Sequence, residues 1–168
     1  MITMQPYQLT NGTAVKNAVT GAFIPNDPLN PDWQRYQAWV AAGNTADAVP
    51  ALSAADQAAA NFATRKSAGL QIVSTGTPAL NATYSLDDAT RTNLSGIAAA
   101  IANGHGLPGS GSTFFFQDAS YAPHSFDQTS ILNLGVAIRD YYYALTVAEA
   151  TEAAGGTPNW PTQPATIP

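Results

Sequence analysis

Gly104–Gly109, GHGLPG, sets its glycines at the G-x-G-x-x-G spacing of a loop that cradles a dinucleotide pyrophosphate. That spacing has physical content only where a strand runs into the glycines and a helix leaves them, so that the helix N-terminus faces the phosphate. Here the order is reversed. The stretch before Gly104 has helical periodicity, and the segment after the loop, STFFF, reads as a strand. Pro108 also removes a backbone donor where donors are needed. The loop is read as a helix C-cap followed by a flexible connection, with no cofactor.

Other reactive residue types are sparse. His105 and His124 are the only histidines, and they lack the i, i+4 spacing of a helical zinc pair. His124, Ser125 and Asp127 are the residue types of a hydrolase triad, but side chains so close in sequence rarely converge, and no G-x-S-x-G elbow occurs. Asp87, Asp88 and Asp118 could suggest paired carboxylates or a calcium site. The first two fit better as charges at a helix start, and Asp118 as a turn residue. The absence of cysteine leaves no disulfide, thiolate nucleophile or thiolate metal site. The expectation is a non-enzymatic chain with no metal.

Composition narrows the partners. Of 168 residues only 10% are charged, against roughly 25% in an average soluble domain. The surface must then be largely Ser, Thr, Asn, Gln and Ala, which suits a protein packed in an assembly. Net charge is −5, and the few Lys and Arg are scattered, so nucleic-acid binding is not expected. No apolar run is long enough to span a membrane, and MITMQPYQLT has no signal-peptide core; a chain made and kept in a cytoplasm is expected.

The elements follow from periodicity and punctuation. Residues 1–50 read as an extended N-terminal element. TNGT, Thr10–Thr13, is a tight hairpin turn, with Tyr7, Leu9, Val15, Val19 and Phe23 on one face. After a proline-rich stretch, Asn30 caps a short helix with Pro31 at its first position, Trp33, Tyr36 and Val40 on one face, Trp39 beside them, and Gly43 at its end. Residues 51–69 hold an alanine-rich helix, about 54–68, started by a Ser53/Asp56 capping box. It buries little by itself and reads as a connecting or partner-dependent helix.

Residues 70–155 predict an α+β domain of the order β-β-α-β-β-α. Strands at 70–73 and 79–84 precede a helix begun by a Ser85/Asp88 box, with Leu94, Ile97, Ala98 and Ile101 on its apolar face. Strands at 113–116 and 121–126 follow, the second marked as an edge by Pro123. Asp127 then caps a helix over 128–153 whose buried face is Ile131, Leu134, Ile138, Tyr141 and Leu145, stopped by Gly155–Gly156. Tyr143 points away from that face, toward either a second packing surface or a subunit contact. Residues 156–168 are a proline-rich arm that docks or stays mobile.

One stretch carries a family resemblance. TGAFIPNDPLNPDWQRYQAWVAAGNTADAVP resembles the N-terminal segment of many bacteriophage tail-associated proteins, matching at Gly21, Ile24, Pro25, Asp27, Asn30, Asp32, Tyr36, Trp39, Gly43 and Asn44. Trp33 stands where tyrosine is usual, and Ala46 near where proline is common. The second half, from STGTPALNATYSL through GHGLPGSGSTFFF to the long helix, is similar to a domain of unknown function that often follows this segment in tail-fibre and tail-fibre-assembly genes. The resemblance implies a virion component of the tail, made in the host bacterial cytoplasm and bound to other phage tail or virion proteins as a homo- or hetero-oligomer. It brings no catalytic residues. Trp33, Tyr36, Trp39, Tyr143 and Trp160 are the expected partner-binding residues, since large aromatics dominate contact energy. Two alternatives stay open: a tail-fibre assembly chaperone absent from the mature particle, and a carbohydrate-binding or receptor-contacting module using Tyr121, His124 and Trp160.

Overall fold

The computed structural model describes residues 6–168, so the first five residues of the expected N-terminal element lie outside the described residues. The chain is mixed α and β and divides into two compact units, Met1–Ala51 and Leu52–Pro168.

The first unit is a three-stranded antiparallel meander with one helix. Strands β1 (Tyr7–Leu9) and β2 (Val15–Asn17) form the hairpin expected around Thr10–Thr13, with Leu9 opposite Val15. A third strand, β3 (Phe23–Ile24), was not expected. Its turn is built by Asn17, whose Oδ1 accepts from the N–H groups of Val19 and Thr20 at 2.9 and 3.0 Å. This corrects the face assignment. Val19 belongs to the turn and Phe23 lies opposite Lys16, both exposed, while Ile24 sits opposite Val15 and both are buried. Because side chains alternate along a strand, one residue of phase exchanges the core and solvent faces. Helix α1 (Pro31–Ala41) starts as expected: Asn30 Oδ1 accepts from Asp32 N and Trp33 N. Gly43, at φ +88°, ends it.

The second unit contains the repeated hairpin–helix order. Strands β4 (Leu70–Ser74) and β5 (Ala82–Tyr84) pair antiparallel and lead into α3 (Asp88–Ala102). Strands β6 (Thr113–Gln117) and β7 (Pro123–Asp127) pair antiparallel as a separate ribbon and lead into α4 (Gln128–Ala153). Asp127 caps α4 through a reciprocal pair with Ser130, and Ile131, Leu134, Ile138, Tyr141 and Leu145 are all buried. They pack with Leu70, Ile72, Tyr84, Leu86 and Phe126 in one core.

Several expectations are changed or decided here. Asp87, not Ser85, caps α3, accepting from Thr90 N at 2.6 Å; Leu86, just before the cap, is buried and fixes the entry of the chain. The alanine-rich α2 (Ala54–Ala68) is no mere connector, because it packs along α4 within the second unit. Ala58 is fully buried, Phe62 meets Tyr142 edge-on at 5.7 Å, and Asn61 Nδ2 donates to the Glu152 carboxylate at 3.0 Å. Small side chains let the two helices approach, so burial comes from proximity rather than from bulk. The proline-rich tail also docks: β8 (Ala165–Ile167) adds to β4 in parallel, giving the order β5-β4-β8. The strand expected over 121–126 is shorter at its start, since Tyr121 is a turn residue at φ +67°.

Gly69 joins α2 to β4 at φ +75°, and a Cβ there would lie 2.6 Å from the Tyr84 carbonyl oxygen. Gly106 has a similar φ of +73° but open space around it. Replacing Gly69 by Ala is therefore expected to cost about 1–3 kcal/mol of strain plus the displacement of β5, and replacing Gly106 about 1 kcal/mol. Denaturant unfolding of the two variants checks this; equal losses would contradict the close approach at Gly69.

Candidate interaction surfaces

The glycine loop lies between α3 and β6, the reverse of a nucleotide-binding order. Leu107, in its middle, is buried in the core and pins the loop down, while Gly104, Gly106 and Gly109 adopt positive φ in open space. The loop borders the start of α4 at Gln128, but that helix end is already occupied. The Asp127 carboxylate accepts from Ser130 N and Oγ at 2.7 Å, and these hydrogen bonds hold its carboxyl below the usual carboxylate range. A fixed negative charge at a helix N-terminus repels the anion that the site would otherwise attract.

The triad-like residues are not brought together. Ser125 is exposed, one residue along β7 from the half-buried His124 and so on the other face of the ribbon, and Asp127 serves as the cap. His124 is held instead by Ala79 O, 2.8 Å from Nδ1, and by Asp118 Oδ2, 3.1 Å from Nε2. Both neighbours are acceptors, so a ring nitrogen that carries a proton donates to the one it faces. The pair ties the β6–β7 turn to the short 3₁₀ turn at Pro78–Leu80. Asp118 also organises its own turn, accepting from Ser120 N, Ser120 Oγ and Ala122 N. Burial raises its pKa, but the hydrogen bonds from Ser120, His124 and Ala122 outweigh that and hold it at about 2. Behind it, burial first and the Asp118 charge second raise the Tyr84 hydroxyl, which donates to Leu80 O at 2.9 Å. Among the described residues no group of three His, Cys, Asp or Glu side chains could hold a metal ion.

The aromatic residues divide into three settings. In the first unit Tyr7, Trp33, Tyr36 and Trp39 form a continuous half-buried cluster, with Tyr7 5.2 Å from Tyr36 and 5.1 Å from Trp39. The sequence reading assigned Trp33, Tyr36 and Trp39 to partner binding and overlooked Tyr7 in the same unit's hairpin. Trp33 touches the cluster only through Tyr36, at 5.1 Å. In the second unit Trp160 is not a free anchor: it packs against the core with the Arg65 guanidinium 5.0 Å above its ring. Its cleft is lined by Asn61, Thr64, Tyr141 and Gln163 among others, and by neither Tyr121 nor His124, so the three residues of the carbohydrate reading do not converge.

Tyr143 is 70% exposed on the outer side of α4. Beside it a groove of about 640 Å³ opens between α3 and α4, lined by Leu94, Ala98, Gly135, Val136 and Tyr142 as well as Tyr143. Its end is closed by Arg91, stacked 3.7 Å over Tyr142 and bonded to Asp88 at 2.6 Å. The signal for this groove was in the sequence. Val136, Tyr143 and Val147 continue the apolar character of α4 beyond its core face, and a helix apolar on two faces has a second surface to cover. Comparison with protein families, curated proteins and solved structures gave no match, so the tail resemblance rests on its motif residues.

Because the carboxyl of Asp118 is held below its unfolded value, its contribution to stability is complete above pH about 4 and is lost as pH falls through about 2. The Asp118→Asn variant is expected to melt lower than the wild type at neutral pH, with the gap narrowing between pH 4 and pH 2. Melting curves across that range decide it, and a gap independent of pH would show that the carboxylate charge is not what stabilises the turn.

Proposed function

We propose that this chain is a non-enzymatic structural component of a bacteriophage particle, associated with the tail or tail fibre and working through protein–protein contacts. The single observation that carries the reading is the poverty of the first unit's interior. Among its described residues only Val15 and Ile24 are buried, while Leu9, Val19, Phe23, Leu29 and Val40 are exposed and the aromatic cluster is only half-buried. Monomeric proteins rarely leave so much apolar surface uncovered, and such surface marks a contact site.

The residues behind the tail resemblance support this reading physically. Gly21 and Gly43 have positive φ, Asp27 Oδ1 accepts from Leu29 N, Asn30 caps α1, and Asn44 Nδ2 donates to Trp39 O. These five matched positions thus shape the backbone that presents Tyr36 and Trp39. In this reading the first unit is the attachment element, and Trp33, which among the described residues meets one other ring where Trp39 meets two and Tyr36 three, is the ring offered to the partner. The chain would be made in the bacterial cytoplasm and end in the virion. The chaperone alternative uses the same surface and differs only in where the protein finally resides.

Mass spectrometry of purified particles separates the two: the virion reading expects the chain in stoichiometric amount, and its absence from particles but presence in infected cells would overturn it. Within the first unit the rings should also separate. Trp33→Ala is expected to change stability by less than about 1 kcal/mol while weakening incorporation, whereas Trp39→Ala, which removes a ring from Tyr7, should cost more. Thermal melts paired with incorporation assays test this. A Trp33→Ala protein that melts much lower would make that ring part of the unit's own core.

A further inference from the structure

The outer face of α4 carries a stripe at intervals of four, seven and four residues, all multiples close to whole helical turns: Leu132, Val136, Tyr143 and Val147. Val136, Tyr143 and Val147 are 47%, 70% and 46% exposed, diametrically opposite the core residues Leu134, Ile138 and Tyr141. Two charges flank the stripe at mid-length, on opposite sides. Arg139 lies on the α3 side and borders the groove there, while Asp140 lies on the side facing the C-terminal tail. Both are largely exposed, and among the described residues the ion pair of each is with the other, at 2.7 Å.

We propose that this face binds a second copy of the same chain, with the two α4 helices parallel and in register about a two-fold axis along them. Two observations select that arrangement. The first is charge. A two-fold axis parallel to the helices brings the Arg139 side of one helix against the Asp140 side of the other, so both flanks carry a matched pair. A two-fold axis perpendicular to the helices, passing between these two residues, would instead set Arg139 beside Arg139 and Asp140 beside Asp140. The second is shape. The groove of about 640 Å³ lies on the α3 side of the stripe, and a smaller one of about 410 Å³ lies on the Asp140 side; Val136 borders both. Parallel pairing sets the wider groove of one copy against the narrower flank of the other, twice. Antiparallel pairing sets wide against wide and narrow against narrow. Gly135, without a side chain, keeps the groove open at the level where the partner's Val136 would enter. The inference goes beyond the assembly reading, which stands on the first unit, and either can fail alone.

The test uses the full chain, which has no cysteine and so allows single cysteines to report position. Sedimentation from about 1 µM to 1 mM should show wild type passing from monomer to dimer. Arg139→Asp and Asp140→Arg each create like-charge pairs on both flanks and should each weaken the dimer by roughly tenfold or more; mixing the two variants should restore association as a heterodimer. Val136→Cys and Val147→Cys should each cross-link to themselves under mild oxidation. Wild type that stays monomeric overturns the proposal. So does a dimer indifferent to the charge variants, or one in which neither cysteine cross-links to itself and a cysteine at 136 pairs instead with one at 143.

Discussion

Ile131, Leu134, Ile138, Tyr141 and Leu145 have to leave water together, and that requirement fixes the rotation of α4. Each fully buried side chain of this size gains about 1.5–3 kcal/mol over its exposed state, so a helix turned away from this setting loses several such terms at once. The other elements of the second unit take their places from it. α2 and α3 pack along α4, and the ribbon β6–β7 feeds directly into its cap at Asp127. The sheet β5-β4-β8 supplies Leu70, Ile72, Tyr84 and Ile167 to the same core. The outer stripe of α4 is a consequence too. Once the core face is fixed, Val136, Tyr143 and Val147 can only point outward.

The means of packing differ from side to side. Toward the sheet the contacts are made by large aliphatic and aromatic residues, with Tyr84 and Phe126 meeting edge-on at 5.9 Å. Toward α2 they are made by closeness. Alanines there let the helix backbones approach, and specific contacts at Asn61 and Phe62 set the register. The first arrangement tolerates exchange of one large apolar residue for another of similar volume, and the second tolerates no added bulk at Ala58.

Local signals made α4 legible to the residue. A capping aspartate, a period of three and four, and a glycine stop all agree, and each acts within one turn of the chain. The same holds for α1 and α2, and for the existence of both hairpins in the second unit. What sequence reasoning missed is non-local or out of phase. β8 is a strand only because β4 offers it an open edge ninety residues away in the chain, and nothing within ATI announces that pairing. The burial of α2 depends on α4 being there to receive it. In β3 the error was one residue of phase, since Phe23 is the bulkier neighbour but Ile24 is the one that meets Val15. Of the expected partner-binding residues, Tyr143 is exposed and Trp33 half-buried, whereas Trp160 has a partner within its own unit, supplied by Arg65 across a distance no local pattern reveals.

The residues that look reactive share one employment. Asp87, Asp118 and Asp127 each accept from backbone N–H groups, His124 clamps two turns, Asn17 and Asn30 organise the chain before and after the prolines, and the glycines of GHGLPG provide positive φ. A chain with 13 glycines and 12 prolines has many turns, and every turn leaves donors that need an acceptor. With few ionisable side chains available, several of the carboxylates turn inward to the backbone, and the outward surface is left nearly neutral. Such a surface carries little charge to desolvate when it meets another protein and exerts little long-range repulsion on it. The scarcity of chemistry and the suitability for lasting contact therefore have the same origin, the use of polar side chains to fix the backbone.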